Sequence, residues 1–122
     1  MPRTKDAYEV VFRGTALIPY LILHGDRVQV QVVDLTDASA DFSYQQTRIR
    51  IKPGLEPQAQ LRCLAHEIVH FSLAWSGLSA LLEEPMEEAI CDALGSGIIE
   101  LIRDNKPICN AIWETYAKQE NR

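Results

Sequence analysis

The chain has 122 residues, and its 47% hydrophobic and 24% charged content is ordinary for a globular protein. Its 17 acidic and 12 basic residues give a formal net charge of −5, which does not fit a surface for nucleic acid or an anionic membrane. Three cysteines without a CxxC pair do not form a disulfide framework. We therefore expect a single domain over residues 1–122 in a reducing cytoplasm.

The N-terminal part of the chain predicts strands. Residues 6–13 fit a strand or a helix equally well, and the apolar residues 16–23 contain Pro19, which marks an edge or an irregular start. Residues 27–35 alternate between apolar and polar side chains, which predicts a half-buried strand.

A second alternating segment follows a polar stretch. Residues 36–43 are predicted to be a loop, and residues 47–54 alternate until Pro53 and Gly54 end the pattern. We expect this segment to be a second strand, antiparallel to the strand at residues 27–35.

The C-terminal half reads as helical. From Pro57 we expect three helices, over residues 57–75, 85–104 and 107–118. The first should bury an apolar stripe of Leu61, Leu64, Ala65, Ile68, Phe71 and Trp75. The apolar faces of the second and third helices comprise Ile90, Leu94, Gly97, Ile98 and Leu101, and then Ile108, Ile112 and Tyr116.

Residues 63–82 form the longest charge-poor run, with Glu67 as the single formal charge. The two histidines and the polar breaks in this run favour a buried helix over a membrane span. The expected fold is therefore α+β: a small antiparallel sheet, then two helices that carry the site, and a C-terminal helix.

The segment LAHEIVHFSLAW, residues 64–75, carries the chemistry. His66 and His70 lie one helical turn apart, so both imidazoles can bind one tetrahedral zinc ion at about 2.0–2.1 Å. Glu67 lies about 100° around the helix, where it reaches a zinc-bound water instead of the metal. His-Glu-x-x-His on a helix therefore predicts a zinc peptidase with Glu67 as general base.

A catalytic zinc ion needs a third protein ligand and one open position. A further histidine six residues after His70 is excluded, because that position is Ser76, and Leu73 replaces the glycine of that pattern. The other option is a carboxylate from the next helix, where the candidates are Glu83, Glu84, Glu87 and Glu88.

Glu83 and Glu84 precede the predicted helix, which leaves Glu87 and Glu88. We choose Glu88, although the sequence does not separate the two decisively. Asp92 lies one turn beyond Glu88 on the same face, where its carboxylate can accept the outer ring N–H of a ligating histidine.

Two segments, LAHEIVHFSLAWSGL (64–78) and EEAICDALGSGIIELIRDN (87–105), resemble minimal gluzincin-type metallopeptidases, in particular small phage- and prophage-encoded zincin-like proteins. The resemblance covers roughly residues 27–105. It implies a small antiparallel sheet before the HExxH helix, a second helix whose glutamate falls on Glu88, and peptide-bond hydrolysis.

Other polar residues are weaker candidates. His24, Tyr44 and Tyr116 could stabilise an oxyanion, but their spacing does not choose among them, and a structural role is the simpler interpretation. Cys63 lies one turn before His66, and we interpret it as a small core residue.

Two functions fit this pattern. The first is a zinc peptidase that holds an extended peptide or protein substrate along a sheet edge. The second is a non-catalytic binding module of the same fold that acts on a host or phage protein. The small size favours the second, because few residues remain for a specificity pocket. Glu67 favours the first, because a structural zinc ion needs no base.

Overall fold

The computed structural model describes residues 20–120, and side chains as far as residue 117. The sequence predictions for residues 6–13 and 16–19 lie outside the described residues. Within them the fold is α+β, as expected, with one sheet followed by three α-helices.

The described sheet contains β1 (Tyr20–Leu23), β2 (Asp26–Val32), β3 (Ala40–Ser43) and β4 (Arg48–Ile51). Its spatial order is β1-β2-β4-β3. The outer pairs β1–β2 and β3–β4 are antiparallel, whereas the central pair β2–β4 is parallel. The sheet is therefore mixed, and not purely antiparallel as the sequence analysis predicts.

The direction of β4 is the main error of the sequence prediction. Residues 36–43 are predicted to be a loop, but residues 40–43 form β3, which reverses the chain once more before β4 begins. Because of this extra reversal, β4 returns parallel to β2, with Val30 opposite Ile49. The strand was missed because its four residues, Ala-Asp-Phe-Ser, are too few for a clear alternating pattern.

The predicted alternation of β2 and β4 is confirmed by the burial of one sheet face. Val28, Val30, Val32, Ile49 and Ile51 form this face, which packs against the first helix. β1 joins β2 through His24 and Gly25, both with positive φ (53° and 84°). Two consecutive left-handed residues match the twist of a hairpin, which explains the glycine.

Three helices follow close to the predicted bounds: α1 (Pro57–Ser76), α2 (Glu84–Asp104) and α3 (Lys106–Glu120). α1 ends at Gly77, whose left-handed backbone (φ 83°) allows its N–H to donate to the carbonyl of Ala74. A short 3₁₀ helix, Leu78–Leu81, then leads to α2. Among residues 20–120, no helix has both the length and the apolar character that crossing a bilayer requires.

The buried faces of the helices differ in part from the prediction. On α1, Leu64, Ala65 and Phe71 are buried as expected, but Trp75 is 48% exposed. The predicted apolar face of α2 is also largely exposed, and its buried residues are Cys91 and Gly95. The buried face of α2, which contains Cys91 and Gly95, therefore lies roughly 90° around the helix from the face that the sequence predicts.

α3 departs further from the prediction. Its predicted packing residues are each at least 51% exposed: Ile108, Ile112 and Tyr116. Helix periodicity identified an apolar stripe on this helix correctly, but periodicity does not tell which neighbour, if any, covers the stripe.

Candidate metal centre

The centre begins with two side chains on one face of α1. Nε2 of His66 and Nε2 of His70 lie 3.1 Å apart, and the two rings are tilted by 64°. Spacing of four residues on a helix explains why both rings leave the same face, and their Nε2 atoms point to a common place.

Glu88 completes the group from α2. Its Oε2 lies 3.0 Å from Nε2 of His66 and 3.1 Å from Nε2 of His70, and its Oε1 lies 3.2 Å from the latter atom. Tetrahedral ligands at about 2.0 Å from a zinc ion are about 3.3 Å apart. The separation and the chemistry of these donors, two imidazoles and one carboxylate, therefore fit a zinc ion.

The outer ring nitrogens are also held by carboxylates. Nδ1 of His66 lies 2.8 Å from Oδ1 of Asp92, and Nδ1 of His70 lies 2.6 Å from Oε2 of Glu87. An Nδ1–H that donates to a carboxylate leaves the lone pair on Nε2, which is the tautomer that binds a metal. Asp92 thus occupies the place that the sequence analysis assigns to it, while the contact of Glu87 with His70 was not foreseen.

Cys91 is a further donor at this place. One ring nitrogen of each histidine and the Sγ atom of Cys91 lie within 4.8 Å of one another, so His66, His70 and Cys91 could also hold a metal ion. Cys91 is fully buried. Burial, together with Glu87 and Glu88, raises the pKa of its thiol to about 12. Since a thiolate is the ligand form, binding through Cys91 requires removal of a strongly held proton.

Burial and the neighbouring carboxylates have opposite effects on the pKa of His70. Burial lowers the pKa of His70, but its hydrogen bonds with Glu87 and Glu88 outweigh this effect and raise the pKa above its ordinary value. Because a metal binds the neutral imidazole, protonation of His70 competes with metal binding, which should therefore weaken in acid.

Glu67 lies beside the two histidines and is 6% exposed. Burial raises the pKa of its carboxyl group from 4.5 to about 7, against the opposing influence of His70 and His66. A carboxyl group with this pKa exchanges a proton readily near neutral pH, as a general base must.

A cleft of about 460 Å³ opens onto these groups. Ser39 and Ala40 line it together with His66, Glu67 and Glu88, whereas His70 is not part of its lining. Next to the cleft, the ring of Phe42 stacks on His70, with centroids 5.1 Å apart. The site is therefore open to a ligand and bordered by β3.

Gly95 permits the close contact of α1 and α2 at this site. A Cβ atom at this position would lie 3.0 Å from the backbone nitrogen of His66 and 3.2 Å from its Cα. The missing side chain thus allows α2 to bring Glu88 and Asp92 to the histidines. The sequence analysis named Gly97 instead, where a Cβ would meet nothing within 4 Å.

The other polar candidates lie elsewhere or lack a contact with the centre. Nε2 of His24 lies 2.9 Å from Oγ of Ser72, and its ring stacks on Trp75. Ser72 is about 200° around the helix from His70, so His24 is on another side of α1. Tyr44 packs against Phe71.

The last two sequence candidates are Tyr116 and Cys63. Tyr116 lies on α3 and is 62% exposed, without a hydrogen bond to the centre among the described residues. Cys63 is half-buried and lines the cleft, so it is not the core residue that the sequence analysis expects.

Comparisons with known protein families, with curated proteins and with solved structures give no match to this chain. The resemblance to gluzincin-type metallopeptidases therefore stays a prediction.

Proposed function

We propose that the protein is a zinc-dependent metallopeptidase. One observation carries the proposal: Nε2 of His66, Nε2 of His70 and the carboxylate of Glu88 meet within 3.0–3.2 Å. His66 and Glu88 also line an open cleft. Two imidazoles and a carboxylate are a known ligand set of catalytic zinc, whereas magnesium and calcium prefer oxygen ligands alone.

Glu67 is the proposed general base. When bound, zinc lowers the pKa of a coordinated water toward about 7 and polarises the carbonyl of the substrate. Glu67 accepts the proton of the attacking water and returns it to the leaving amine. The position of Glu67 in the same cleft as His66 and Glu88 supports both steps.

The free edge of β3 is the proposed platform for the peptide. β3 is the last strand in the sheet order of the described residues. The N–H of Lys52 donates to the carbonyl of Ser39, so hydrogen bonding to β4 alternates from Ser39 along β3. The backbone groups of Ala40 and Phe42 therefore face the outer edge, where an extended substrate can add as a strand beside the histidines.

Glu67→Gln tests the proposal. The variant should keep one equivalent of zinc while peptide hydrolysis falls by about 10²–10⁴, the usual contribution of a general base. Glu114→Gln, on the exposed surface of α3, removes the same charge and should change neither quantity. A screen of proteome-derived peptides supplies the substrate. Undiminished cleavage by Glu67→Gln would reject Glu67 as the base.

Cys91 favours a second candidate, a binding module with a structural zinc ion. With Glu88 and Cys91 both bound, the shell of four protein ligands is closed, which is typical of structural sites. Cobalt substitution separates the two functions, because a bound thiolate gives an intense sulfur-to-cobalt charge-transfer band. The peptidase predicts a spectrum without this band, and the binding module predicts its presence and its loss in Cys91→Ser.

A further inference from the structure

A second cavity adjoins the cleft of the candidate metal centre. It encloses about 590 Å³ between the first turns of α1 and the last turns of α2. Its aliphatic wall is formed by Leu61, Ile99 and Ile102. Arg62 and Ser96 line both this cavity and the cleft, so the two adjoin at these residues, and we call them together the groove between α1 and α2.

The helix sets the distance between the two parts of the groove. Arg62 lies one turn before His66, which corresponds to about 6 Å along α1, and Leu61 lies just beyond it. An extended peptide advances about 3.3 Å per residue. A side chain about two residues from the metal centre therefore reaches Arg62, and the next one or two reach the aliphatic wall.

The charges along the groove differ in sign. The cleft carries the acids Glu67, Glu88 and Asp92, and the second cavity carries Glu100. Among the described residues, Arg62 is the one arginine or lysine that lines both parts. Arg62 is exposed and forms no ion pair with another described residue, whereas Arg103, farther along the groove, is bound to Asp104. Arg62 is thus the place where this groove can bind a carboxylate.

We propose that the groove selects peptides with a carboxylate next to a branched aliphatic residue, about two residues from the cleaved bond. This inference rests on the proposed peptidase function. The carboxylate binds Arg62, and the aliphatic side chain packs against Leu61, Ile99 and Ile102. A Glu or Asp side chain and the C-terminus of a peptide offer the same chemistry, so the experiment must separate these two sources.

The test measures peptide binding by zinc-loaded Glu67→Gln protein, in which cleavage does not interfere. Fluorescein-labelled peptides carry Glu-Leu, Gln-Leu or Glu-Ser at the relevant positions, each with a free or an amidated C-terminus. We expect the Glu-Leu peptide to bind about five- to tenfold more tightly than either of the others, the size of one exposed charge contact or one aliphatic contact. If amidation alone causes the loss, the C-terminal carboxylate is the group that Arg62 binds.

The same assay tests the groove residues. Adding Arg62→Gln should abolish the preference for Glu over Gln, and Arg62→Glu should reverse it, so that the Gln-Leu peptide binds more tightly than the Glu-Leu peptide. Arg27→Gln is the matched control, because Arg27 lies over the ring of Tyr20, away from the groove. Equal binding of acidic and neutral peptides, or equal effects of Arg62→Gln and Arg27→Gln, would overturn the inference.

Failure of this inference can be distinguished from failure of the proposed function. Hydrolysis by the wild-type protein without dependence on Arg62 would reject the groove and keep the peptidase. Arg62-dependent binding without any hydrolysis would reject the peptidase and keep the groove as a peptide-binding surface.

Discussion

The two halves of the candidate metal centre differ in their exposure to solvent. In the inner half, His70 and its partner Glu87 have side chains that are 9% and 14% exposed, and Phe42 covers the ring. In the outer half, the side chains of His66 and Asp92 are 20% and 77% exposed. The contact between imidazole and carboxylate is therefore shielded from solvent at His70 and exposed to solvent at His66.

This difference has an energetic consequence. Water and salt screen the contact of Asp92 with His66, while the contact of Glu87 with His70 lies in a region of lower effective dielectric constant. We therefore expect the inner half to determine how firmly the centre is held, and the outer half to leave room for a ligand. Variants in each half test this division.

The largest effect is expected from neutralising Glu67, a buried acid that lines the cleft together with His66. Its folded pKa of about 7 exceeds its ordinary value of 4.5, so the native protein holds the proton more tightly than the unfolded chain. Stability of the metal-free protein should therefore fall as the pH rises from about 4.5 to about 7, and stay level above it. Glu67→Gln removes this loss, which amounts to up to about 3 kcal/mol at pH 8.

Thermal unfolding in the presence of a chelator, from pH 5 to pH 8, measures this effect. Glu67→Gln should melt at a higher temperature than the wild type at pH 8 and at nearly the same temperature at pH 5. Glu114→Gln controls for the loss of one negative charge. A constant difference between Glu67→Gln and wild type across this range would show that burial does not strain the carboxylate.

The second effect compares the two outer ring contacts directly. Loss of a carboxylate that orients a ligating histidine typically weakens metal binding by about 10–100-fold. Glu87→Gln should reach the upper part of this range, and Asp92→Asn should stay at or below the lower end, because solvent replaces its contact. Competition with a chromophoric chelator gives both zinc affinities. Equal losses in the two variants would contradict the division into halves.

The third and smallest effect concerns the contact between the helices. Gly95→Ala places a Cβ against the backbone of His66, which must move by a few tenths of an ångström. We expect a loss of about 1–2 kcal/mol in stability and a several-fold weaker zinc affinity. Gly97→Ala has free space and should gain up to about 1 kcal/mol from the better helix propensity of alanine. Denaturant unfolding and zinc titration of both variants measure these changes, and identical behaviour would exclude a role for Gly95.

The sequence predicts the helices and the inner sheet face well because both depend on local periodicity. Val28, Val30, Ile49 and Ile51 alternate, and the strands that contain them are buried on that face. The predicted direction of β4 was wrong because that direction depends on β3, a strand of four residues whose pairing partner lies elsewhere in the chain. Local patterns carry little information on such pairing.

The site shows the same limit. Spacing within one helix indicates that His66 and His70 share a face. The spacing of four residues between Glu88 and Asp92 likewise indicates that these two acids share a face of α2. The contacts of Glu87 and Cys91 depend on how α1 and α2 are rotated against each other, which Gly95 governs by its lack of a side chain. The signal in the sequence was a pair of glycines, Gly95 and Gly97, inside one predicted helix. Periodicity placed Gly97 on the apolar face, and it did not indicate that Gly95 contacts α1.

The most direct test of the account is a zinc titration that compares wild type with His70→Ala, Glu88→Gln and Cys91→Ser. We expect one equivalent of zinc for wild type, loss of the metal in His70→Ala, strongly weakened binding in Glu88→Gln, and little change in Cys91→Ser. Wild-type affinity in Glu88→Gln, or a wild-type protein that binds no zinc at all, would contradict it.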